Sequence, residues 1–258
     1  VQVAILCGGR GTRLGRESEV RPKPMAEIGG RPILWHIMKY YAGYGHREFI
    51  LCLGYLGDVI RDYFLNYEAR RRDVTVELGG ESRLTYHSDH DEDDWRVTLA
   101  DTGPETGTGG RVKRIERYIR EEPFFLTYGD GVSDVDLDDL ARFHREHGKA
   151  ATVTAVHPPA RFGEVQLDEG RVRIFSEKPQ TSHGRINGGF FVLDRRIFDY
   201  LSDDRQCVLE QEPMVRLTAD GELMAYKHPG FWQCMDTVRE LNILTELWET
   251  GRAPWRNW

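Results

Sequence analysis

Gly8, Gly9 and Gly11, interleaved with Arg10, Thr12 and Arg13, make a stretch suited to gripping a polyphosphate. Glycine lets a ligand approach the backbone closely, unpaired N–H groups donate to anionic oxygens, and arginine adds a fixed cation. A second cation follows in Arg21-Pro22-Lys23-Pro24-Met25. Proline on each side restricts the backbone, so the Lys23 ammonium is aimed rather than left to roam. Two carboxylates, Asp130 between Gly129 and Gly131 and Asp236 after Cys234-Met235, could share one Mg²⁺. Such an ion would leave its other octahedral positions to phosphate and water. These residue types together point to chemistry on a nucleoside triphosphate.

The glycine stretch matches neither of two better-known phosphate loops. A dinucleotide fingerprint needs a third glycine where Leu14 stands, and a Walker loop needs Gly-Lys-Ser/Thr after its second glycine. The plain alternative is a β-turn carrying surface arginines, and each aspartate alone is more often a turn residue or a helix cap than a metal ligand. Two further segments have suitable chemistry. Thr106-Gly107-Thr108-Gly109-Gly110-Arg111 would open a helix and offer backbone groups to a base or phosphate. Glu177-Lys178-Pro179 precedes Asn187-Gly188-Gly189, an amide beside a glycine turn that could read sugar hydroxyls.

Other clusters read as structure. The acidic run around Asp89 to Asp94 fits a solvated loop better than a metal site. His144 and His147 share a helix face but have no third ligand near them in sequence. No Ser or Cys sits in a Gly-x-Ser-x-Gly context, so covalent hydrolase chemistry has no support.

The elements that must position these groups alternate between strand and helix, which predicts an α/β fold with a Rossmann-like, mixed but mainly parallel sheet flanked by helices. Strands are expected at 1–7, 48–53, 74–78 and 124–128, and helices at 32–44, 58–67, 110–120 and 136–147. Asp130 then falls just past the carboxyl end of a buried strand, where open α/β sheets place their ligands. After residue 149 strands dominate, at 151–156, 164–167, 172–175 and 188–193, before a closing helix at 237–248. With no linker between them, 1–149 and 150–258 are expected to be a nucleotide-binding half and a sugar-facing β extension of one domain. The tail tryptophans Trp248, Trp255 and Trp258 would pack either on a subunit interface or on the chain's own core.

Composition narrows the partners. The 258 residues carry a net charge of −7, which argues against a nucleic-acid scaffold. No apolar run approaches the ~18 residues of a membrane span, and no signal peptide is read at the N-terminus. The four cysteines lack a Cys-x-x-Cys pair and read as reduced thiols of a cytoplasmic protein.

Taken in order, Gly8 to Leu14, Lys23-Pro24-Met25, Gly129-Asp130-Gly131, Glu177-Lys178-Pro179, Asn187-Gly188-Gly189 and Phe231-Trp232 to Asp236 resemble the sugar-1-phosphate nucleotidylyltransferase family across essentially the whole chain. Within it, 24–30, 32–38, 127–132 and 184–192 resemble the branch that joins CTP to α-D-glucose 1-phosphate. The resemblance implies Mg²⁺ dependence, a homo-oligomer (a hexamer by analogy) and release of pyrophosphate. It implies that Leu6, Gly8, Gly9, Arg10, Gly11, Thr12, Arg13, Lys23, Thr106, Arg111 and Gly129 bind the nucleotide. Tyr128, Glu177, Lys178, Asn187 and Gly188 would take the sugar phosphate, and Asp130 and Asp236 the metal. Arg13, Lys23 and Lys178 would be the charge-neutralising catalytic groups. The alternatives left open are UTP or dTTP as nucleotide, another sugar 1-phosphate, or a catalytically silent binding subunit. Cys7, beside the base-binding turn, departs from the family pattern by a small change that should spare binding, whereas the departures at Asp89 to Asp94, Cys207 and Cys234 bear most on the identity of the sugar.

Overall fold

The computed structural model describes residues 1–9, 21–79, 83–87, 92, 94–159, 164–168, 171–176 and 184–258. Strand β1 (Gln2–Leu6) leads through a short 3₁₀ turn (Lys23–Met25) to the paired dipeptides β2 (Glu27–Ile28) and β3 (Arg31–Pro32). Pro32 has no N–H to offer a ladder and sits directly before α1 (Ile33–Gly43). Then follow β4 (Glu48–Leu53), α2 (Gly57–Leu65), α3 (Tyr67–Arg71), the hairpin β5 (Asp73–Glu77) and β6 (Arg83–His87), β7 (Arg96–Asp101) and α4 (Thr108–Arg114). The second half of the chain starts from β8 (Phe124–Tyr128), β9 (Gly131–Ser133), α5 (Leu137–His147) and β10 (Ala151–Val156). It continues with β11 (Glu164–Asp168), β12 (Arg171–Ser176), β13 (Ile186–Leu193), α6 (Glu212–Ala219), β14 (Leu223–Lys227), β15 (Trp232–Cys234) and α7 (Val238–Glu249).

Seven strands form the central sheet in the order β14-β10-β13-β8-β1-β4-β7. Only β13 runs against the rest, pairing antiparallel with both β8 and β10, while β8, β1, β4 and β7 pair in parallel. Strands from both sides of residue 150 therefore share one sheet. The inner strands are apolar on both faces, as a two-sided parallel sheet requires. Val3, Ile5, Phe49, Leu51 and Phe125 pack with α1, α5 and α7 on one side. Ala4, Leu6, Ile50, Phe124 and Leu126 face Val112 and Ile115 of the α4 segment and Leu217 of α6 on the other.

Several expected boundaries shift for local reasons. The 58–67 helix divides at Asn66, whose side-chain amide donates to the Asp62 carbonyl at 3.0 Å and so competes with the helical ladder. The 110–120 helix begins at Thr108 and stops at Arg114, tightening into a 3₁₀ turn at Glu116–Tyr118. The sequence reading missed β7, whose charged ends and half-exposed edge position weaken the apolar signal. It also missed α6, β6 and β14. At α7 the N-cap is Thr237, not Asp236, and its hydroxyl and the Glu240 carboxylate form a capping box. Of the tail tryptophans, Trp255 is fully buried and Trp258 lies edge-on to Trp35, so the tail covers the subunit's own core. His144 and His147 both engage the Thr152 hydroxyl, at 2.9 and 2.7 Å, which ties α5 to β10.

Candidate active site

The chain crosses from one side of β1 to the other between β7 and β8, so the carboxyl ends of β1 and β8 emerge side by side at a topological switch point. Leu6 stands opposite Tyr128 in the ladder, and the Gly129 N–H donates to the Leu6 carbonyl at 3.0 Å. Gly8 and Gly9 thus leave the sheet beside Gly129 and Asp130. Gly129 is favoured by crowding: a Cβ there would lie 3.0 Å from both the Leu6 carbonyl oxygen and the Pro24 ring. Here the Lys23–Met25 turn packs against the strand ends and carries Lys23 inward.

A cleft of about 610 Å³ opens at this edge, lined by Leu6, Gly8, Gly9, Lys23, Thr106, Arg111, Tyr128, Gly129 and Asp130 among others. A second, about 270 Å³, is lined by Tyr128, Asp130, Asn187, Gly188, Trp232 and Asp236 together with parts of β13. Tyr128 and Asp130 belong to both, so the two pockets share a wall. The described residues expected at the nucleotide gather in the larger pocket, and those expected at the sugar in the smaller one. Arg10, Gly11, Thr12, Arg13, Glu177 and Lys178 lie outside the described residues.

The smaller pocket depends on strand pairing between distant segments. β15 pairs antiparallel with β9, setting Cys234 opposite Gly131, and the Met235 N–H donates to the Asp130 carbonyl at 2.8 Å. Glu240 holds the backbone N–H groups of Asp236 and Thr237, at 2.6 and 2.8 Å. Asp236 is thereby carried to Asp130 across 106 residues of sequence.

Between the two carboxylates sits Lys23. Its ammonium bonds the Asp236 carboxylate and lies 3.6 Å from that of Asp130. All three are largely shielded from water, so the attraction is stronger than in an exposed pair. The lysine occupies the place of a shared cation, and two hard carboxylate oxygens beside a phosphate-sized cleft suit a divalent ion of the Mg²⁺ type. Among the described residues no group of three or more His, Cys, Asp or Glu forms a closed metal cage. Any ion here would need ligand oxygens from elsewhere, as a phosphate-bound ion does.

Two of the expected nucleotide-side elements also have a structural role. Arg111 is buried, and its guanidinium donates to the carbonyls of Gly8, Leu53 and Gly103 and to the Thr102 hydroxyl, at 2.8 to 3.1 Å. It laces together the ends of β1, β4 and β7 and forms the back of the cleft. A Cβ at Gly8 would lie 2.2 Å from that guanidinium, which is why this position is glycine. The 106–110 glycines serve packing: the Gly107 and Gly110 N–H groups donate to the carbonyls of Arg205 and Cys207, and a Cβ at Gly109 would lie 2.6 Å from the Cys207 sulfur.

The acidic run also departs from expectation. Glu92 is buried and paired with buried Lys39 at 2.9 Å, while Asp94 pairs with Arg47 at the surface. Asp89, Asp91 and Asp93 lie outside the described residues.

At two thiols of the site, burial disfavours the thiolate. Burial raises the Cys7 thiol well above its ordinary range. Burial, with Glu240 and Asp236 nearby, pushes Cys234 up to about 12. Residues that sequence reading missed include Trp232, whose indole N–H donates to the Gly188 carbonyl at 2.6 Å. Glu210, which bonds Tyr128 and Thr108, was missed as well.

The nucleotidyl transferase family model matches residues 2–237. The chain is similar to glucose-1-phosphate cytidylyltransferase of Salmonella typhi, at 51% identity over 259 residues and 100% of both chains. It is 43% identical to the probable glucose-1-phosphate cytidylyltransferase of Bacillus subtilis strain 168, again over 100% of both. Among solved structures it superposes on HddC from Yersinia pseudotuberculosis complexed with GMP-PN, with a TM-score of 0.70, 23% identity, and 96% of this chain and 99% of that one covered. The last likeness shows the fold.

Proposed function

The chain belongs to the nucleotidyl transferase family, and from that premise we propose that its paired pockets carry out CTP + α-D-glucose 1-phosphate → CDP-glucose + pyrophosphate. Identity to glucose-1-phosphate cytidylyltransferases along the full length of both chains supports the substrate pair. The observation that carries the geometry is the junction at Tyr128 and Asp130, where a larger and a smaller pocket open onto one cation-bearing point. CTP is assigned to the larger pocket and the sugar phosphate to the smaller. In this reading 1–149 supply the nucleotide half and 150–258 the sugar half of a single domain.

The chemistry asks little of a general base, because a sugar phosphate near neutral pH is already ionised. One of its phosphate oxygens forms a bond to the α-phosphorus of CTP while the bond to the β-phosphate oxygen breaks and pyrophosphate departs with its electron pair. The barrier is the approach of one anion to another, so catalysis is positioning and charge neutralisation. Lys23 is assigned to neutralise phosphate oxygens at the junction. Gly8 and Gly9 let the triphosphate lie against the backbone, and Arg111 holds that backbone in place. Asp130 and Asp236 would hold Mg²⁺, which when bound draws charge from the phosphate oxygens. Arg13 is assigned to the triphosphate and Glu177 and Lys178 to the sugar phosphate, on the resemblance of their motifs. The four free thiols accord with a cytoplasmic setting, and among the described residues no helix is long and apolar enough to cross a membrane.

Pyrophosphate release measured over a matrix of CTP, UTP and dTTP against several sugar 1-phosphates tests the assignment. CTP with glucose 1-phosphate should be the preferred pair, and preference for another nucleotide would sink the cytidylyl reading. The same preparation on light scattering should show a homo-oligomer, with six copies as the proposed state. A mass equal to one chain would refute it.

A further inference from the structure

A chain of hydrogen bonds joins the two pockets through a carboxylate that lines neither. The Glu210 carboxylate accepts from the Tyr128 phenol on one oxygen and from the Thr108 hydroxyl, at 2.5 Å, on the other. Thr108 belongs to the wall of the larger pocket and is itself fixed by the Leu209 N–H at 2.9 Å. On the far side, the Asn187 amide nitrogen donates to the Tyr128 oxygen at 3.2 Å, and the Asn187 carbonyl accepts from the Gly189 N–H at 2.8 Å.

The bonding sequence has a definite polarity. A carboxylate can only accept, so the phenol hydrogen must point to Glu210, leaving the phenol oxygen to receive the Asn187 amide. With its oxygen on Gly189 and one hydrogen on Tyr128, the Asn187 amide has one hydrogen left and a fixed facing. Asn187 lines the smaller pocket, so it presents a donor there, matched to an oxygen acceptor such as a sugar hydroxyl. The Tyr128 ring cannot easily move, because Gly189 packs against it so closely that a Cβ there would lie 2.3 Å from a ring carbon. Burial and the neighbouring Glu210 charge both raise the phenol's pKa, which keeps its hydrogen in place.

We propose that Glu210 is a positioning residue for sugar-1-phosphate recognition, acting through Tyr128 and Asn187 and tying them to the nucleotide-side wall at Thr108. The inference rests on the two-substrate reading above and names a residue that reading does not use. It requires that removing the carboxylate loosen the sugar side more than the chemistry itself.

The test is steady-state pyrophosphate release with Glu210→Ala, Glu210→Gln, Tyr128→Phe and the Tyr128→Phe/Glu210→Ala double variant, using the best substrate pair of the wild type. Failure of the wild type with CTP and glucose 1-phosphate would show in that first measurement and would bear on the functional reading alone. For Glu210→Ala the KM for the sugar phosphate should rise about tenfold, as loss of a hydrogen bond to a charged group implies, with kcat changed less than about threefold. Glu210→Gln keeps an acceptor for the phenol and should recover most of the loss. The double variant should be no worse than the poorer single variant, because both act on one chain of bonds. An unchanged sugar KM in Glu210→Ala would overturn the proposal. So would effects that multiply in the double variant, or a glutamine variant as impaired as the alanine. Should Glu210→Ala fail to fold, Glu210→Gln and Tyr128→Phe carry the test, and a Tyr128→Phe enzyme with the wild-type sugar KM would overturn the proposal.

Discussion

One wall of the larger pocket is bare backbone at the ends of parallel strands, whereas the smaller pocket is assembled largely from side chains of β8, β13, β15 and the loop after β15. Gly8, Gly9 and Gly129 make the first wall by having no side chains, and buried Arg111 braces it from behind. Tyr128, Asn187, Trp232 and Asp236 make the second, each fixed by a specific hydrogen bond or ion pair. A backbone wall is rigid because the sheet holds it, and it fails when a side chain is added. A side-chain wall fails when one is removed.

The shared junction should give the largest effect, since it serves both pockets. Lys23→Ala or Asp130→Ala should lower kcat by roughly 10²–10³ while circular dichroism and melting stay near wild type. Near-normal turnover in either purified variant would remove that residue from the mechanism.

Acid sensitivity should separate from both pockets altogether. His36 is fully buried among Trp35, Trp248 and Trp255, with Nε2 bonded to the Ile28 carbonyl at 2.8 Å. Burial lowers its pKa from 6.5 to about 4. Between those values the unfolded chain binds a proton that the folded chain refuses, so stability must fall as pH drops through that window. The full effect is on the order of 3 kcal/mol, and His46 and His144, also lowered to about 4 by burial, act in the same direction. Urea unfolding from pH 7 to 4.5 measures it, and a constant midpoint would contradict this account.

Within the backbone wall, Gly8→Ala should displace the Arg111 guanidinium and raise the KM for CTP about tenfold, the scale of a lost hydrogen bond to a charged group. The sugar-phosphate KM should move less than about twofold. Equal changes in both would erase the distinction between the walls. The smallest effect is expected in the side-chain wall. Trp232→Phe removes the indole bond to the Gly188 carbonyl, worth about 1 kcal/mol, together with part of the ring, and should raise the sugar-phosphate KM about fivefold while sparing that of CTP. A larger effect on CTP than on the sugar would place Trp232 in the wrong wall.

Much of the larger pocket was legible because strand ends and glycines are adjacent in sequence. The apolar run before Gly8 and the run before Gly129 each announce a strand and the turn that leaves it. The smaller pocket was legible only in its motifs. Nothing near Asp236 says that β15 pairs with β9, and nothing near Glu210 says that it reaches Tyr128, 82 residues away in sequence. Local pattern also gave no sign that the glycines at 107–110, the first of which lines the larger pocket, admit the 204–209 segment.

By itself the sequence determined an α/β chain and singled out a glycine-rich stretch, a lysine between two prolines and two aspartates as candidates for phosphate and metal, because those expectations reside in residue types and short spacings. Only the tertiary structure decided that Lys23 sits between Asp130 and Asp236, that Arg111 braces carbonyls, and that Glu210 joins the two pockets. Each of these depends on which strands pair and which loops pack together, and that is set by burial across the whole sheet rather than by any local stretch of chain.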